Sequence, residues 1–434
     1  MFFHVVMNIQ KIHELFLQCS SISTDTRKIA PNCMFVALKG DRFDANTFAA
    51  EALEKGASYV IIDNLNYYID HRTIVVPDSL RALQALAQFH RAHLNLPIIA
   101  LTGSNGKTTT KELIHAVLCQ KFKTKATLGN LNNHIGVPLT LLSFDATTEI
   151  GIVEMGANHQ KEIEFLCEIA RPDYGYITNF GKAHLEGFGG VEGVIKGKSE
   201  MYNFLVAHNR KAFVNLDDPL QNEKTSSLER FGFSQNIADA YLKIDHISAN
   251  PLVQVTFENT QINSHLIGLY NANNILAAAT IGKYFGVSNA QIKAAIEGYI
   301  PENNRSQMLH KGSNEIILDA YNANPSSMKV AIENFVQLDK PNKLMILGDM
   351  FELGNESPLE HQAIVNLVAQ HPQAQCFFVG KDFSAQAISA PQLQFFAQFE
   401  DLAVQLQTHP LQNQTLLIKG SRGMALERLL EFIH

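Results

Sequence analysis

The stretch Pro97-Ile98-Ile99-Ala100-Leu101-Thr102-Gly103-Ser104-Asn105-Gly106-Lys107-Thr108-Thr109-Thr110 decides how this chain is read. Pro97 to Leu101 is an unbroken apolar run, of the kind that fills the middle of a parallel sheet. Beyond the loop, Lys111 to Phe122 sets Leu113, Ile114, Val117 and Leu118 on one face of a predicted helix. Strand, glycine loop and helix in that order make a phosphate cradle. Glycines let the backbone approach an oxyanion, and the helix start offers unpaired N–H groups with a favourable dipole. On this reading Gly103, Ser104, Asn105, Gly106, Lys107, Thr108 and Thr109 surround nucleotide phosphates. Lys107 neutralises β/γ-phosphate charge, and the Thr108 hydroxyl ligates Mg²⁺. Leu101 stands where the longer phosphate loop has its first glycine, so this is the shorter Gly-x-x-Gly-Lys-Thr form.

Around that loop the chain divides by pattern. Its 434 residues exceed what one core usually serves, at roughly 150 residues per domain. Residues 1–78 mix short strands (Cys33 to Leu38, Tyr59 to Ile62) with a helix near Thr47 to Lys55, which predicts a small α/β domain. Residues 79–307 begin with a helix over Ser79 to His93. Apolar runs at Gly151 to Glu154, Tyr176 to Asn179 and Ala212 to Asn215 then alternate with helices, the signature of a mostly parallel sheet. Within them, Tyr241 to Leu266 alternates as a β-rich subregion. Residues 308–434 repeat the pattern with strands at Ile316 to Leu318, Leu344 to Leu347, Cys376 to Val379 and Thr415 to Ile418. The fold class expected is therefore α/β in three domains: a small N-terminal one, a central P-loop ATPase-like one and a C-terminal doubly wound Rossmann-like one, with ligands at the carboxyl ends of the strands.

Composition narrows the function. At 46% hydrophobic and 18% charged residues this is an ordinary globular composition, and a net charge of −7 disfavours nucleic acid or an anionic membrane as partner. Met1 to Met7 is too short for a signal peptide, and no segment sustains about 18 apolar residues, so a cytoplasmic address is expected. Cys19, Cys33, Cys119, Cys167 and Cys376 are scattered and lack Cys-x-x-Cys spacing, which predicts buried free thiols.

Phosphoryl chemistry needs an acidic metal ligand beside the loop. Ile150-Gly151-Ile152-Val153-Glu154 is an apolar strand ending in a carboxylate, so Glu154 is either that ligand or the cap of the next helix. His184, in a Gly-rich loop after another strand, reaches the same crevice or is a polar surface residue. Lys198 reads as a solvated helix lysine. Asn271 and Asn274 precede a helix over Ile275 to Ile281 and suit either an adenine edge or an N-cap. Arg305 is a linker arginine or a cation for a γ-phosphate. Asp319-Ala320-Tyr321-Asn322-Ala323-Asn324-Pro325-Ser326 crowds polar groups at a strand end; Asn324 as cap and Pro325 at the helix start explain part of it. Lys419-Gly420-Ser421-Arg422-Gly423 offers two cations to an anionic ligand.

Together these motifs resemble the ATP-dependent Mur ligases of peptidoglycan synthesis, over essentially the whole chain. The likeness includes Ser23-Thr24-Asp25-Thr26-Arg27, Phe35 to Gly40, Asn132-Asn133-His134-Ile135-Gly136-Val137-Pro138 and Ala183 to Phe188. Asp319 to Pro325, Leu347-Gly348-Asp349-Met350-Phe351-Glu352-Leu353-Gly354 and Lys419 to Arg422 resemble the subgroup that adds D-alanyl-D-alanine; the Asp-Asn-Pro-Arg segment of relatives that add diaminopimelate or lysine is absent. The resemblance implies ATP, two Mg²⁺ ions, and UDP-N-acetylmuramoyl-tripeptide and D-alanyl-D-alanine as substrates of a monomer, joined through an acyl phosphate. It implies Thr108 and Glu154 on one Mg²⁺, and His184 with a carbamylated Lys198 on the other. Asn271 and Asn274 lie by adenine, Asp319 by ribose and Arg305 by the γ-phosphate. Ser23, Asp25, Arg27, Lys39 and Gly40 face the UDP portion, Asn133 the substrate, and Tyr321, Asn322, Asn324 and Ser326 help bind the dipeptide or order the interdomain cleft. Asp44-Ala45-Asn46 and Tyr270 depart from the family's Asp-Gly-His and its histidine before Asn271. Folylpolyglutamate synthetase, a relative with the same acyl-phosphate chemistry, and a plain nucleotide switch are the competing readings.

Overall fold

The computed structural model describes residues 8–302 and 304–434; Met1 to Met7, on which the signal-peptide reading fell, lies outside them. Short strands Ile22–Ser23, Met34–Val36, Tyr59–Ile62 and Thr73–Val75 form a parallel four-stranded sheet. The predicted helix over Thr47 to Lys55 is a 3₁₀ turn, Ala45–Phe48, followed by an α-helix, Ala49–Glu54. Helix Ser79–Leu94, capped by the Asp78 carboxylate, leads into the next sheet.

That sheet has seven strands, all parallel, and the phosphate-loop strand Ile98–Thr102 lies within it. Its neighbours are Ile150–Glu154 on one side and Tyr174–Ile177 on the other. The strands that follow it in the chain thus divide between its two sides, and the loop lies at the carboxyl ends of the strands, where open α/β sheets bind ligands. Successive residues of the strand serve different cores: Ile98 and Ala100 pack on one face, Ile99 and Leu101 on the other. Helix Lys107–Leu118 buries Leu113, Ile114, Val117 and Leu118 as expected. It begins four residues earlier than its apolar periodicity suggests, because the β-branched Thr108 to Thr110 are buried and packing outweighs their weak helix preference. The expected strand over Tyr176 to Asn179 instead spans Tyr174–Ile177; Thr178 and Asn179 leave the ladder and bond the phosphate loop.

An antiparallel three-stranded sheet, His246–Ala249, Leu252–Phe257 and Thr260–Ile267, accounts for the β-rich subregion. The last sheet has an antiparallel edge strand, Gln307–Lys311. Five parallel strands follow in the order Asn314–Asp319, Thr415–Lys419, Lys343–Gly348, Gln375–Val379 and Leu393–Phe396. Helices cover both its faces: Met345 and Leu347 share a core with helix Pro325–Gln337, whereas Leu344 and Ile346 pack with Leu402 and Leu406 of helix Phe399–Thr408. All five cysteines are free thiols, but Cys119 is exposed and Cys19 half-buried, which corrects the expectation that all are buried. Among the described residues no helix is long and apolar enough to cross a membrane.

Candidate active site

A cavity of about 770 Å³ opens where the central sheet's carboxyl ends face the C-terminal sheet. Its floor is the phosphate loop, held by neighbouring strand ends. Ser104 donates to the Gly181 carbonyl at 2.6 Å, and Thr178 and Asn179 donate to the Asn105 carbonyl at 2.6 and 3.0 Å. Gly103 has φ +145°, and a Cβ there would lie 1.9 Å from the Thr178 hydroxyl oxygen, so no other residue fits. Helix Lys107–Leu118 starts from Gly106 with no side-chain cap, which leaves its first N–H groups turned to the cavity. The Lys107 ammonium donates to the Gly103 carbonyl at 2.7 Å. Burial lowers its pKa; Glu154 opposes that shift and Arg305 adds to it.

Glu154 enters beside the loop because its strand pairs with the phosphate-loop strand in the register Leu101 to Glu154. It is 2% exposed. Asn132 donates to its Oε1 at 2.8 Å, while Oε2 has no hydrogen bond and meets only the Lys111 ammonium, at 3.9 Å. A buried carboxyl oxygen without a donor suits a cation, and Thr108 lines the same cavity, so this pair fits a divalent ion. Glu154 caps no helix: helix Glu162–Ala170 starts from Lys161.

His184 also lines the cavity, and its Nδ1 lies against Oε2 of Glu352 from the C-terminal sheet's side. That contact, ahead of burial's opposing effect, holds the Glu352 carboxyl below its usual range. Lys198 is not solvated. It is fully buried behind the cavity wall, its ammonium 3.4 Å from the Ala157 carbonyl and 5.1 Å from the centre of the Phe188 ring. Burial first, then the Lys107 charge, drives its pKa well down against the pull of Glu162 and Glu200.

On the opposite wall, Asn271 and Asn274 sit inside the first turn of helix Tyr270–Tyr284, not at its cap, which is Leu269. Asn274 donates to Asn271 at 2.7 Å and accepts from Thr110 at 3.0 Å, and Asn271 donates to the Ile267 carbonyl at 2.8 Å. Each amide keeps spare donor and acceptor capacity toward the cavity. Arg305 stacks 3.5 Å above the Tyr321 ring. Asp319 is bound by Lys419 at 2.6 Å, so Lys419 is committed to a carboxylate and is not free for an anion as its sequence context suggested; Arg422, mostly exposed, pairs with Glu427. Asn324 caps helix Pro325–Gln337 as predicted, and also donates to Asn105 of the phosphate loop at 2.7 Å. Ser326 accepts from the Lys182 amide at 2.7 Å, and Asn322 lines the cavity beside it.

Not every candidate converges. Ser23, Asp25, Arg27, Lys39 and Gly40 do not line this cavity: Asp25 pairs with Arg27 at 2.8 Å and Lys39 with Asp63 at 2.7 Å. Asn133 does line it, but its side chain is used by the Ile135 and Gly136 amides, and it is Asn132 that touches Glu154. Sequence reading also passed over Lys111, Asn179 and Glu352. The first shares a helix face with the loop threonines. The second follows a strand whose end was misplaced, and the third sits in a loop with no periodicity.

Family models described as the Mur ligase middle domain and the Mur ligase glutamate ligase domain match residues 101–282 and 304–422. The chain is 32% identical over 422 residues to UDP-N-acetylmuramoyl-tripeptide–D-alanyl-D-alanine ligase of Bacillus subtilis (strain 168), and 34% identical over 421 residues to that of Escherichia coli (strain K12). Both alignments cover 94% of this chain and 92% of the relative. Among solved structures, a crystal structure of MurF from Acinetobacter baumannii superposes with a TM-score of 0.86 at 31% identity, covering 98% of this chain and 99% of that one. MurF ligase from Thermotoga maritima in complex with ADP gives 0.83 at 26% identity, covering 96% and 97%. The chain belongs to the Mur ligase family.

Proposed function

We propose that this chain is a cytoplasmic, monomeric ATP-dependent ligase that joins D-alanyl-D-alanine to UDP-N-acetylmuramoyl-tripeptide, a step of peptidoglycan precursor synthesis. The observation that carries the reading is the convergence of Lys107, Glu154, His184, Arg305 and Asp319 on one cavity. Residues 1–78, 79–307 and 308–434 act as three units: one for the UDP portion, one for ATP, and one that closes over ATP and binds the dipeptide.

A carboxylate is a poor electrophile until one oxygen becomes a good leaving group. The tripeptide's terminal carboxylate attacks the γ-phosphorus, the bond to ADP breaks, and an acyl phosphate forms. The dipeptide arrives as an ammonium, gives one proton to solvent to free its lone pair, attacks the acyl carbon, loses a second proton to solvent and expels phosphate. Lys107 and Arg305 neutralise charge on the transferring phosphoryl group. Asn271 and Asn274 orient adenine and Asp319 the ribose, while Tyr321, Asn322, Asn324 and Ser326 border the dipeptide. Ser23, Asp25, Arg27, Lys39 and Gly40 receive the UDP portion, and Asn133 shapes the substrate side of the loop. Thr108 and Glu154 would hold one Mg²⁺, and His184 with a carbamylated Lys198 a second; bound there, the ions supply further charge neutralisation. Burial that pushes the Lys198 pKa well down favours the free amine, the form that reacts with CO₂, and so supports carbamylation.

The deciding measurement is ADP release with UDP-tripeptide present and D-alanyl-D-alanine supplied or withheld. Release that requires both is expected. Turnover indifferent to the dipeptide, or supported by glutamate in its place, overturns the assignment.

A further inference from the structure

We infer that Glu352 receives the ammonium group of the incoming dipeptide and so selects an acceptor with an amine end; this rests on the ligase reading above. Four carboxylates line the cavity; two are bound by protein donors, and a third, Glu154, keeps one free oxygen that the reading above gives to a metal ion. Glu154 is buried against Asn132, Glu162 accepts the Asn158 and His159 amides at 2.7 and 3.1 Å, and Asp319 is bound by Lys419. Glu352 is the exception. Its side chain is 54% exposed, and its partner is the imidazole of His184 rather than a lysine, an arginine or a backbone amide. A carboxylate has about four lone-pair sites, so it can keep His184 and still accept from an ammonium.

The loop that presents Glu352 is built for that purpose. Glu352 has φ +62° and His184 φ +53°, both in the left-handed region that non-glycine residues avoid. Such conformations persist where the surroundings over-determine them, and they cluster at functional sites. Here the Phe351 amide donates to Ser421 at 2.9 Å, the Met350 amide to the buried His361 at 3.0 Å, and the Glu186 amide to the Glu352 carbonyl at 3.3 Å. The loop therefore holds its carboxylate next to His184, in the cavity that Lys107 also lines. An amine must reach the acyl carbon formed beside Lys107, so an ammonium bound at Glu352 waits within the reacting cavity. The contact orders the acceptor and itself makes or breaks no bond.

The test uses the full-length enzyme, with Glu352→Gln and Glu352→Asp compared in steady-state ADP release. D-alanyl-D-alanine is the varied substrate, and D-lactyl-D-alanine, which has a hydroxyl in place of the ammonium, is the competing ligand. Loss of a charge-assisted bond should raise the dipeptide KM about 10-fold or more in Glu352→Gln, with the KM for ATP and UDP-tripeptide within about 2-fold of the parent. Inhibition by the hydroxyl analogue should stay unchanged, and Glu352→Asp should recover part of the loss. An unchanged dipeptide KM, or an equal rise for all three substrates, overturns the inference and leaves a domain-closing contact instead. If the parent enzyme itself ignores the dipeptide, the ligase reading falls and takes this inference with it; if only the variant's KM fails to move, the inference falls alone.

Discussion

A pair near the start of the chain and a pair across the cavity are made in opposite ways. Asp25 pairs with Arg27 only two residues away, and that short-range contact holds its carboxyl down to about 2. The Arg27 side chain remains 86% exposed. Across the cavity, Asn324 reaches Asn105 over 219 residues of sequence, and Lys182 reaches Glu360 over 178 at 2.5 Å. A local pair forms wherever its loop forms, whereas a distant pair exists only when two sheets are correctly docked. The cavity is thus a product of assembly, whereas the Asp25–Arg27 pair needs only its own loop.

That contrast can be broken at several points. The largest effect is expected from Lys107→Ala, which should cut kcat at least about 10²–10³-fold with the unfolding midpoint little changed; a rate near that of the parent removes the phosphate-loop assignment. Glu154→Gln should lower activity about 10²-fold and abolish the extra thermal protection that Mg²⁺ gives with ADP. Because Oε2 has no hydrogen bond to lose, the fold itself should hold, and a magnesium titration followed by melting checks both halves.

His13 and His90 sharpen the comparison, since they join helix Ile9–Phe16 to helix Ser79–Leu94, which leads into the central sheet, over 77 residues. His13 Nε2 lies 3.0 Å from His90 Nδ1, and His90 Nε2 lies 2.9 Å from the Phe144 carbonyl, so the carbonyl accepts from His90 and the two rings cannot both be protonated. Burial, then His90 and His93, lower the His13 pKa to about 4 against the pull of Glu14. The unfolded chain takes up this proton near pH 6.5 and the folded one only near pH 4, so the stabilisation is complete above about pH 6.5 and drains away as the pH falls toward 4. Allowing for screening, about 2 kcal/mol is at stake. Denaturant titrations at pH 7 and pH 4.5 should differ by that amount, and His13→Gln should flatten the difference; a parent curve already flat sinks the argument. The smallest effect belongs to Lys182 and Glu360. The lysine is 46% exposed, so a double-mutant cycle should give a coupling of only about 0.5 kcal/mol. A coupling near zero would mean that the two sheets are held by their other contacts.

Much of this could be read from the residues alone, and the failures have physical causes. The phosphate loop was legible because strand, glycines and helix each carry a separate signal within a dozen residues. Glu154 was legible because a carboxylate ending an apolar strand is conspicuous. Asn271 and Asn274 were misplaced as possible caps because a helix rich in alanine gives no amphipathic edge to mark where it begins, and it begins at Tyr270. Lys198 resembled a surface lysine because its enclosure comes from Phe188 and Ala157, on segments that sequence cannot dock. Lys419 looked like a free cation until Asp319, 100 residues earlier, was seen to take it.

One feature of the central sheet fixes what is able to move. Since alternate side chains of Ile98–Thr102 are gripped by separate bodies of hydrocarbon, tilting that strand would disturb both at once. The loop at its tip is the molecule's fixed datum, and Asn179 and Gly181, bonded to that loop, are anchored with it.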